Sequence, residues 1–585
     1  MKIVRGGENK MTNNDVVPEL SNGEFDSFIS KGFVLIDFYA EWCLSPGTKL
    51  TFNPYIANVE TVSKGSKILS FDEEFNEQHA NVKSTFKIIN NKRINIETER
   101  GRKLQSTPEH LILTKDGFKK AEELSEEDLV AVYLFNNFPD IEEDNRIFIS
   151  EEKIRKNGER FSLNRESYIK ELKDKNLLEI KYNQEKSYIL ANLLGFLLTD
   201  GSLSIQKNNE RNVEFFVANQ KDREELIRDL KFIGFKPNFR YQEIVGEING
   251  RKFTQKIIRA RITKTSFFLL MNTLGAIEGK KFIKGLKIPE WIKKGSIQIK
   301  KAFLQGFLGG DGPKAEIRVV HRKKYKEYNK LCINPIEFHF WENCQNNIDE
   351  FANDLSKMLN ELGVKTRKIE IKKEDRYERK DKKNSILLKI FLNTDRVSGY
   401  NYCSIGFKYA SQKNYSSSIT REYLRERIIK LKEKEIINQQ GVNDKNVRIS
   451  TTPINYNLWS TQFLGEKNII YDKIKKIEID NGGKYPFISL SLDNNTKMFV
   501  ANDIIHHNCM PCLMMAPVVD EMAEIFKGKL KVGKVNIDDN QAISQKYGVS
   551  SIPNFIIFQD GKKVKQFVGG ISSDDFEDKI REIVK

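Results

Sequence analysis

The chain has 585 residues and a formal net charge of +16, with 39% hydrophobic and 30% charged residues. This length is too great for one hydrophobic core, so we expect roughly three or four domains and more than one activity. The composition is that of soluble globular protein, and no uncharged apolar run is long enough to span a bilayer, which argues against a membrane protein. The first ten residues are not followed by the apolar core of a secretory signal, so we expect a cytoplasmic protein.

The positive charge is concentrated in the middle of the chain. Residues 1–42 carry four basic and seven acidic side chains, and residues 509–585 carry eleven of each, which leaves a net charge of +19 on residues 43–508. A strongly basic region between nearly neutral ends favours binding to a polyanion such as DNA or RNA. The alternative, a lysine-rich surface without a nucleic-acid partner, stays open on charge alone.

The cysteines are too few and too scattered for a disulfide framework. Only Cys509 and Cys512 are close together, as a C-x-x-C pair. In a reducing compartment such a pair is more often redox-active or a metal ligand than a structural bridge. The six cysteines are Cys43, Cys332, Cys344, Cys403, Cys509 and Cys512.

The first element with a clear pattern is a buried strand. Residues 33–40 form a short apolar run that predicts a strand, and Glu41, Trp42 and Cys43 follow it directly. After Cys43 a turn begins and the composition shifts toward Lys, Asn and Ile. The pattern of the first domain therefore breaks off here, and it resumes only at Cys509.

The segment after Cys509 alternates helices and strands. A helix opens at the C-x-x-C pair, and its buried face is predicted to carry Met514, Val518, Met522 and Ile525. The further predicted elements are strands at 531–537, 554–558 and 565–568, a short helix at 541–547, and a last helix capped by Ser572 or Ser573. Such alternation indicates a small α/β domain.

The two ends fit together if residues 43–508 are removed. Trp42 is then followed directly by Cys509, and the sequence reads W-C-x-P-C after a buried strand and at the start of a helix. The joined segments, 119 residues in all, resemble thioredoxin over nearly their whole length. Met510 stands where thioredoxins usually have glycine.

The resemblance implies a protein disulfide oxidoreductase that needs no cofactor. It assigns the nucleophile to Cys509, the resolving thiol to Cys512, the opposing proline to Pro553, and the buried carboxylate that helps move the resolving thiol's proton to Asp37; Trp42 completes the motif. A thiol at a helix N-terminus has a lowered pKa, which suits Cys509 to this role. The implied partners are protein disulfide substrates and a thioredoxin reductase-like electron donor.

The removable segment carries residues that can excise it. It begins with Cys43, contains Thr107 and His110 in a T-x-x-H pattern, and ends with His507 and Asn508. The first cysteine of the C-x-x-C pair follows at once. These features resemble an intein, with its first nucleophile, T-x-x-H motif, terminal His-Asn pair and downstream nucleophile.

The first chemical step needs a nucleophile within the chain. The Cys43 thiol can attack the Trp42 carbonyl and convert the peptide into a thioester. His110 can protonate the departing amine, and Thr107 can hold or polarise the scissile peptide.

The later steps release the segment and join its flanks. Cys509 attacks the thioester and takes over the N-terminal segment. Asn508 then cyclises with help from His507, and a final S-to-N shift leaves an ordinary peptide bond after Trp42. No cofactor is required.

A zinc site is the alternative at these positions. Cys43, His507, Cys509 and Cys512 offer the nitrogen and sulfur ligands that zinc prefers. The chain would then be a stable nucleic-acid-binding protein that does not splice. This reading explains neither the restored thioredoxin sequence nor Asn508.

The intein resemblance implies an all-β horseshoe built from both ends of the segment. Strands are predicted at residues 66–71 and 487–492. One departure stands near the last strand, where many inteins have Tyr-Asp-Leu and a histidine. This chain has Ile-Ser-Leu at 488–490 and Lys497 instead.

The middle of the chain contains an internal repeat. Residues 195–201 and 306–312 both read G-F-L-x-x-D-G at the end of an apolar helix pattern. They resemble the paired motifs of LAGLIDADG homing endonucleases, and Lys287, two residues before a proline, fits that family too. Gly195 and Gly306 would let the two helices cross closely.

The resemblance implies a site for phosphodiester cleavage. Asp200 and Asp311 would meet at the helix ends and bind a divalent cation, Mg²⁺, with Lys287 as a further catalytic residue. Gly201 and Gly312 are predicted to cap the two helices. The implied partner is double-stranded DNA that spans the intein-free insertion site, consistent with the basic charge.

Together the resemblances imply a multi-domain monomer without a membrane partner. Its parts are an α/β thioredoxin fold split in the sequence, an all-β horseshoe (Hint) splicing domain and an α+β pseudo-symmetric LAGLIDADG endonuclease domain. The predicted segments in chain order are the first part of the thioredoxin (1–42), the first part of the splicing domain (43–135), a linker or additional segment (136–185), the endonuclease with its return segment (186–435), the last part of the splicing domain (436–508) and the last part of the thioredoxin (509–585).

Overall fold

The structure is a computed structural model, and it describes most of the chain. The described residues are 17–18, 20–39, 44–51, 56–108, 110–134, 144–161, 163, 166–207, 209–248, 251–322, 325–341, 345–374, 385–439, 456–494, 496, 498–507, 511–537, 540–549, 553–569 and 571–584. Trp42, Cys43, Lys497, Asn508 and Cys509 lie outside them. No helix in the described ranges is long and apolar enough to cross a membrane.

Helices and strands occupy most of the described chain and fall into three stretches. The first contains α1 (Asn22–Ile29), β1 (Phe33–Tyr39), β2 (Lys49–Thr51), β3 (Ile56–Asn58), β4 (Lys67–Phe71), β5 (Glu77–Thr98), β6 (Lys103–Ser106), β7 (Leu111–Thr114), β8 (Gly117–Lys120) and β9 (Leu129–Tyr133), with 3₁₀ helices at Val59–Thr61 and Ala121–Glu123. The second contains β10 (Ile147–Ile149), α2 (Glu151–Glu159), α3 (Glu166–Asp174), β11 (Ile180–Lys181), α4 (Glu185–Asp200), β12 (Gly201–Ile205), β13 (Arg211–Val217), α5 (Gln220–Phe232), β14 (Asn238–Ile248), β15 (Arg251–Ile262), α6 (Thr265–Leu274), α7 (Lys281–Lys284), α8 (Glu290–Lys293), α9 (Ile297–Asp311), β16 (Ala315–Arg322), β17 (Tyr325–Ile333), β18 (Ile336–Trp341), α10 (Gln345–Glu361), β19 (Thr366–Glu374), β20 (Ser385–Leu392), α11 (Arg396–Ile405), α12 (Ser411–Gln439) and α13 (Tyr456–Phe463). The third contains β21 (Ile469–Leu492), β22 (Met498–Ala501), β23 (Ile504–His507), α14 (Pro511–Ile525), β24 (Leu530–Asn536), α15 (Gln541–Lys546), β25 (Asn554–Gln559), β26 (Lys562–Val568) and α16 (Ser573–Arg581).

Strand β1 lies inside a sheet whose other members come from the far end of the chain. The sheet has the order β24-β1-β25-β26, with β1 parallel to β24 and antiparallel to β25. All five inner residues of β1 are buried, as expected for a strand covered on both faces. The two ends of the chain therefore form one α/β domain, although the long middle segment separates them in sequence.

The elements predicted for this domain are confirmed. The apolar run at 33–40 is β1, and the three strands predicted after Cys509 are β24, β25 and β26. Ser572 is the residue that caps α16, because its hydroxyl accepts a hydrogen bond from the Asp575 amide at 3.3 Å.

The buried face of α14 differs from the predicted one. Met522 is buried as expected, but Met515, Val519 and Phe526 accompany it in the core, whereas Ile525 is 41% exposed. Two apolar stripes share Met522. The predicted stripe continues to Ile525, and the observed one continues to Phe526, about 100° away around the helix. The prediction was therefore wrong for Ile525. Contact with the sheet selects one stripe, and periodicity alone does not distinguish them.

Two long strands bring together the two ends of the segment 43–508, which is called the insert below. β5 and β21 pair antiparallel over most of their length. They belong to a sheet of the order β3-β2-β22-β4-β5-β21-β9-β23-β7-β8, with β6 added on β5. Strands from before and after the middle segment thus alternate in one sheet. The strands predicted at 66–71 and 487–492 are confirmed as β4 and the last part of β21.

A buried ion cluster fixes the turn between β5 and β6 to β21. Arg102 lies 2.9 Å and Arg100 3.4 Å from the Asp472 carboxylate, and all three side chains are almost fully buried. The Thr98 hydroxyl donates a further hydrogen bond to Asp472 at 2.8 Å. Breaking such a cluster leaves an uncompensated buried charge, so it specifies the register of this turn. The turn leads into β6, whose end is followed directly by Thr107.

The chain divides into two compact units. The first contains residues 1–53, 57–133 and 469–585, and the second consists mainly of residues 134–468. The segment 136–185 was predicted as a linker or additional segment, and its described part contains α2 and α3, which pack against α6 within this unit. The unit repeats one order of elements, since α4 and α9 are each followed by antiparallel strands, a helix, further strands and another helix. The strands form the sheets β12-β13-β15-β14, β16-β17 and β18-β20-β19.

Helices α4 and α9 cross at their glycines, as predicted. A Cβ atom on Gly306 would lie 1.9 Å from the Asn192 carbonyl oxygen, and one on Gly195 would lie 2.2 Å from that of Phe303. Backbone therefore touches backbone at the crossing. These glycines are required by the space available and not by an unusual dihedral angle.

Gly201 and Gly312 lie at the C-caps of the two helices, as predicted. Their φ angles are −150° and −72°, so neither is in the left-handed region. A Cβ atom on Gly312 would lie 2.5 Å from the Leu308 carbonyl oxygen, and one on Gly201 would lie 2.6 Å from the Leu197 Cδ1 atom. Close packing against the preceding turn, and not left-handed backbone, requires glycine here.

We expect Gly306→Ala to destabilise the second unit by about 3 kcal/mol, because its new methyl group overlaps backbone that cannot move aside. Scanning calorimetry should show the melting transition of this unit lowered by roughly 4 °C. Gly158→Ala in α2 is the matched control, since its Cβ would have ordinary contacts at 3.6 Å. Equal melting temperatures for the two variants would contradict the close crossing.

Candidate functional sites

Leu44 fixes the chain immediately after Cys43. Its amide and carbonyl groups exchange hydrogen bonds of 2.9 and 2.7 Å with Ile488 of β21. It also forms a β-bridge to Ser106, the last residue of β6. The chain that leaves Cys43 therefore runs between β21 and the residue that precedes Thr107.

The T-x-x-H residues form a buried turn after β6. Thr107 is 6% exposed and His110 is 1% exposed, and the His110 amide donates to the Thr107 carbonyl oxygen at 3.2 Å. The Ala121 amide donates to the His110 carbonyl oxygen at 2.8 Å, which ties the turn to the 3₁₀ helix Ala121–Glu123. Backbone hydrogen bonds therefore fix the turn that carries Thr107 and His110.

Strand β23 approaches the other end of the insert. His507, its last residue, lies opposite Leu111 in the register of β23 with β7. Leu111 directly follows His110, so His507 and the T-x-x-H turn lie at the same end of the sheet. The His507 ring is half-buried and packs edge-on against Phe118, with ring centroids 5.0 Å apart. Asn508, the next residue, is outside the described ranges.

His506 is a residue of this site that the sequence prediction missed. Its Nδ1 atom lies 2.9 Å from the Nε2 atom of His110, and its Nε2 atom lies 3.0 Å from the Ala501 carbonyl oxygen. The His-His-Asn sequence was visible, but the contact depends on the register of β23 with β7. No sequence pattern gives that register.

Both histidines of the contact are neutral at physiological pH. Burial lowers the pKa of His506 to about 4. Burial also lowers the pKa of His110 well below its usual value, and the neighbouring His506 and His507 lower it further. A neutral imidazole has one donor and one acceptor nitrogen, so this pair can hold a proton on one defined atom of each ring.

In the thioredoxin-like domain, Asp37 lies in the middle of β1 and is 2% exposed. Burial raises the pKa of Asp37 to about 7, although Lys534 on the adjacent strand lowers it in part and Asp520 raises it slightly. Lys534 pairs with Asp520 at 2.9 Å. A carboxyl that titrates near neutral pH can both accept and release a proton under physiological conditions.

The other predicted redox residues are placed in part. Pro553 is buried directly before β25, and Cys512 falls in the first turn of α14. Trp42 and Cys509 are outside the described ranges. Cys512 therefore lies at the start of a helix, as the motif predicts, and Pro553 belongs to the same domain.

The predicted endonuclease aspartates end α4 and α9. Burial raises the pKa of Asp311 to about 6, and the negative charge of Asp200 raises it further. Burial also raises the pKa of Asp200, which Lys413 and Lys281 lower in part. The two carboxyl groups thus interact with each other and with two lysines.

These two lysines cap the helix ends that carry the aspartates. The Lys281 ammonium donates to the carbonyl oxygens of Leu197, Thr199 and Gly201 at 3.1, 2.6 and 2.7 Å. The Lys413 ammonium donates in the same way at the end of α9, to Gly309 at 2.9 Å and also to Gly310. Positive charge beside helix C-termini is favourable, because the helix dipole is negative there.

Lys287, the lysine predicted for this site, has other contacts. Its ammonium lies 3.2 Å from the Glu350 carboxylate, and the two side chains are 61% and 49% exposed. Lys281, six residues earlier, interacts with both aspartates, as Lys413 does. Lys281 and Lys287 lie in one lysine-rich stretch of the sequence. The tertiary structure, and not the sequence, shows that Lys281 is the buried one.

We expect Asp37→Asn to stabilise the joined chain of residues 1–42 and 509–585 at high pH and not at low pH. The folded domain favours the neutral carboxyl, so its free energy of unfolding falls as the pH rises from about 4 to about 7. The loss is at most about 4 kcal/mol. Urea unfolding at pH 4 and pH 8 measures this difference.

The control for this prediction is Asp26→Asn, which removes an exposed carboxylate of the same domain. We expect it to change the free energy of unfolding little at either pH. A stabilisation by Asp37→Asn that is equal at pH 4 and pH 8 would contradict the assignment.

Two family profiles match this chain. The profile of the intein splicing domain matches residues 50–508, and the thioredoxin profile matches residues 491–582. Thioredoxin 1 of Nostoc is 51% identical over 63 residues, which are 11% of this chain and 59% of that protein.

Two longer relatives carry different names. The DNA-directed RNA polymerase subunit Rpo1N of Methanocaldococcus jannaschii is 30% identical over 71% of this chain and 30% of that protein. The tRNA-splicing ligase RtcB of Pyrococcus furiosus is 26% identical over 86% of this chain and 56% of that protein. The chain thus spans about a third to a half of the length of these curated relatives.

Proposed function

The chain belongs to the intein splicing domain family and carries a thioredoxin domain at its C-terminus, and we propose that it is a precursor that excises residues 43–508. Excision joins residues 1–42 to 509–585. The observation that carries the proposal is the position of β1, which completes the thioredoxin sheet from the other side of the insert.

The site at the sheet end supports the order of steps. Cys43 attacks the carbonyl of Trp42 beside the buried T-x-x-H turn, and His110 returns a proton to the departing amine. Thr107 holds the peptide. Leu44, the residue after Cys43, is fixed by backbone hydrogen bonds to Ile488, and holding reacting groups in a defined geometry favours such a step.

The second half of the reaction takes place at the end of β23. Cys509 accepts the acyl group from the thioester, and Asn508 then cyclises next to His507. The S-to-N shift leaves Trp42 bonded to Cys509. All of these steps use groups of the chain itself.

The relatives support an insert that is independent of its host. Their names describe an RNA polymerase subunit and a tRNA-splicing ligase, yet each matches most of this chain over only part of its own length. A shared segment carried by hosts with different names explains this pattern. We therefore assign the shared function to residues 43–508 and the redox function to the flanks.

We expect expression of the full chain to yield two products in intact-mass analysis, a 119-residue host protein and a 466-residue insert. Asn508→Ala should stop release of the insert, because no other side chain can form the cyclic imide. The zinc alternative predicts a persistent 585-residue chain with one zinc ion per molecule, and that result would overturn the splicing function.

The joined product acts as a thiol-disulfide oxidoreductase. Cys509 attacks a substrate disulfide, Cys512 resolves the mixed disulfide, and Asp37 takes up and releases the resolving proton near neutral pH. Before excision Cys43 stands next to Trp42 in place of Cys509, so the precursor lacks redox activity. The partners are protein disulfides and a thioredoxin reductase-like donor.

A reducing cytoplasm is the location that suits this chemistry. Cys332 and Cys403, in the described part of the chain, are free thiols. Free thiols persist where disulfides are kept reduced.

The second unit supports a further function, cleavage of double-stranded DNA that spans the intein-free insertion site. The carrying observation is the interaction of Asp200 with Asp311 at the end of a close helix crossing. The described residues contain no group of three or more His, Cys, Asp or Glu suited to a metal. Two carboxylates fit a divalent cation such as Mg²⁺ that takes its other ligands from water and phosphate.

Asp200 and Asp311 would hold the cation, which would activate water and stabilise the leaving oxygen of a phosphodiester. Asp200 and Asp311 must be ionised to hold it, and Lys281 and Lys413 lower the energy of that ionised state. The net charge of +19 on residues 43–508 attracts the DNA backbone.

We expect Asp200→Asn and Asp311→Asn each to abolish cleavage of an intein-free copy of the gene while splicing continues, because each removes one ligand. Lys287→Ala is the matched control and should cleave at the parental rate. Cleavage by the parent should fall as the pH is lowered, because a proton on either aspartate competes with the cation. Normal cleavage by Asp200→Asn, followed on agarose gels, would contradict the metal site.

A further inference from the structure

We propose that His506 is a positioning residue for splicing, which fixes His110 in the tautomer whose Nδ1 atom exchanges protons at the Trp42–Cys43 bond. The proposal rests on the splicing function above. It adds a residue to that site, since His507 is the histidine that the intein resemblance assigns.

With both rings neutral, the hydrogen-bond chain determines the two tautomers. The Ala501 carbonyl oxygen can only accept, so the His506 Nε2 atom must be the donor in their 3.0 Å contact. A neutral His506 then has a lone pair on Nδ1. This atom lies 2.9 Å from the His110 Nε2 atom, which must therefore carry a hydrogen and donate it. A neutral His110 is left with its lone pair on Nδ1.

The surroundings keep the His506 ring in this orientation. The ring is fully buried and stacks on Phe499 of β22, with centroids 5.3 Å apart and an interplanar angle of 23°. Phe499 is also its partner in the register of β22 with β23. Ala501 ends β22 and is joined to β23 by a tight turn. The acceptor atom is thus held by two strands of the same sheet.

The tautomer matters for the acyl shift. His110 takes the thiol proton of Cys43 on Nδ1 while sulfur bonds to the carbonyl carbon of Trp42. When the C–N bond breaks, the same atom gives the proton to the Cys43 nitrogen, so protons and electron pairs balance. With the hydrogen on Nδ1 instead, two lone pairs would face each other at 2.9 Å in a buried site, which disfavours that tautomer by about 10- to 100-fold.

Three substitutions at His506 separate positioning from packing. Asparagine places an acceptor oxygen near the position of Nδ1 and loses the contact with Ala501. Glutamine places an amide near the position of Nε2, so it keeps the contact with Ala501 and loses the acceptor for His110. Phenylalanine keeps the ring stacked on Phe499 and loses both hydrogen bonds.

The first measurement is thioester formation in the full chain with Asn508→Ala and Cys509→Ala, which stop later steps. Dithiothreitol cleaves the thioester, and mass spectrometry follows release of residues 1–42. We expect cleavage to fall about 10- to 100-fold in His506→Gln and His506→Phe and less than about 3-fold in His506→Asn. Equal rates in all three variants, whether parental or uniformly reduced, would overturn the positioning role.

The second measurement is the tautomer itself. Nitrogen-15 NMR of histidine-labelled chain carrying Cys43→Ala and Asn508→Ala distinguishes protonated from unprotonated ring nitrogens, and His110→Gln assigns the signals. We expect His110 to have a bare Nδ1 in this parent and in His506→Asn, and a mixture of tautomers in His506→Gln. A protonated Nδ1 in the parent would overturn the proposal.

The two measurements also separate this proposal from the splicing function. If dithiothreitol releases no fragment from the parent, the splicing function fails, whereas the NMR signals still decide whether His506 sets the tautomer of His110.

Discussion

The pairing of β5 with β21 is the interaction on which the first unit depends. It joins strands that lie on opposite sides of the second unit in sequence, so the entropy of closing a very long loop must be offset by one extended ladder. The buried cluster of Arg100, Arg102 and Asp472 then fixes the local register. From this register follow the position of β6, the T-x-x-H turn after it and the bridge that holds Leu44.

Distant parts of the chain also meet in the host domain, the thioredoxin domain that contains β1 and β24 to β26. β1 lies between β24 and β25, which is possible only if both ends of the chain return to one place. The hydrophobic clusters on the two faces of this sheet stabilise the arrangement, with Leu35 on one face and Ile36 on the other because successive side chains of a strand alternate. In the proposed reaction, excision therefore acts on a host domain whose strands are already paired, and the covalent change is confined to the junction.

The close crossing of α4 and α9 and the burial of charged groups at their ends determine the chemistry of the second unit. The glycines of α4 and α9 allow the helix backbones to touch, and this brings two carboxylates to neighbouring helix ends. Burial raises the pKa of Asp311, and the negative charge of Asp200 raises it further. The positive charges of Lys281 and Lys413 lower the pKa of both carboxyl groups in part, and their ammonium groups also donate to backbone carbonyl groups at the two helix ends.

The sequence by itself determined the features that are local and covalent. The W-C-x-P-C junction, the terminal His-Asn pair, the T-x-x-H spacing and the two G-F-L-x-x-D-G stretches can be read along the chain, and strand and helix patterns gave most elements of the host domain. Tertiary structure decided what depends on register and rotation. It determined which face of α14 is buried and placed His506 in contact with His110. It also placed Lys281, and not Lys287, beside Asp200 and Asp311. These outcomes come from contacts between distant strands and helices, where one residue of shift or 100° of rotation changes which side chain is inside.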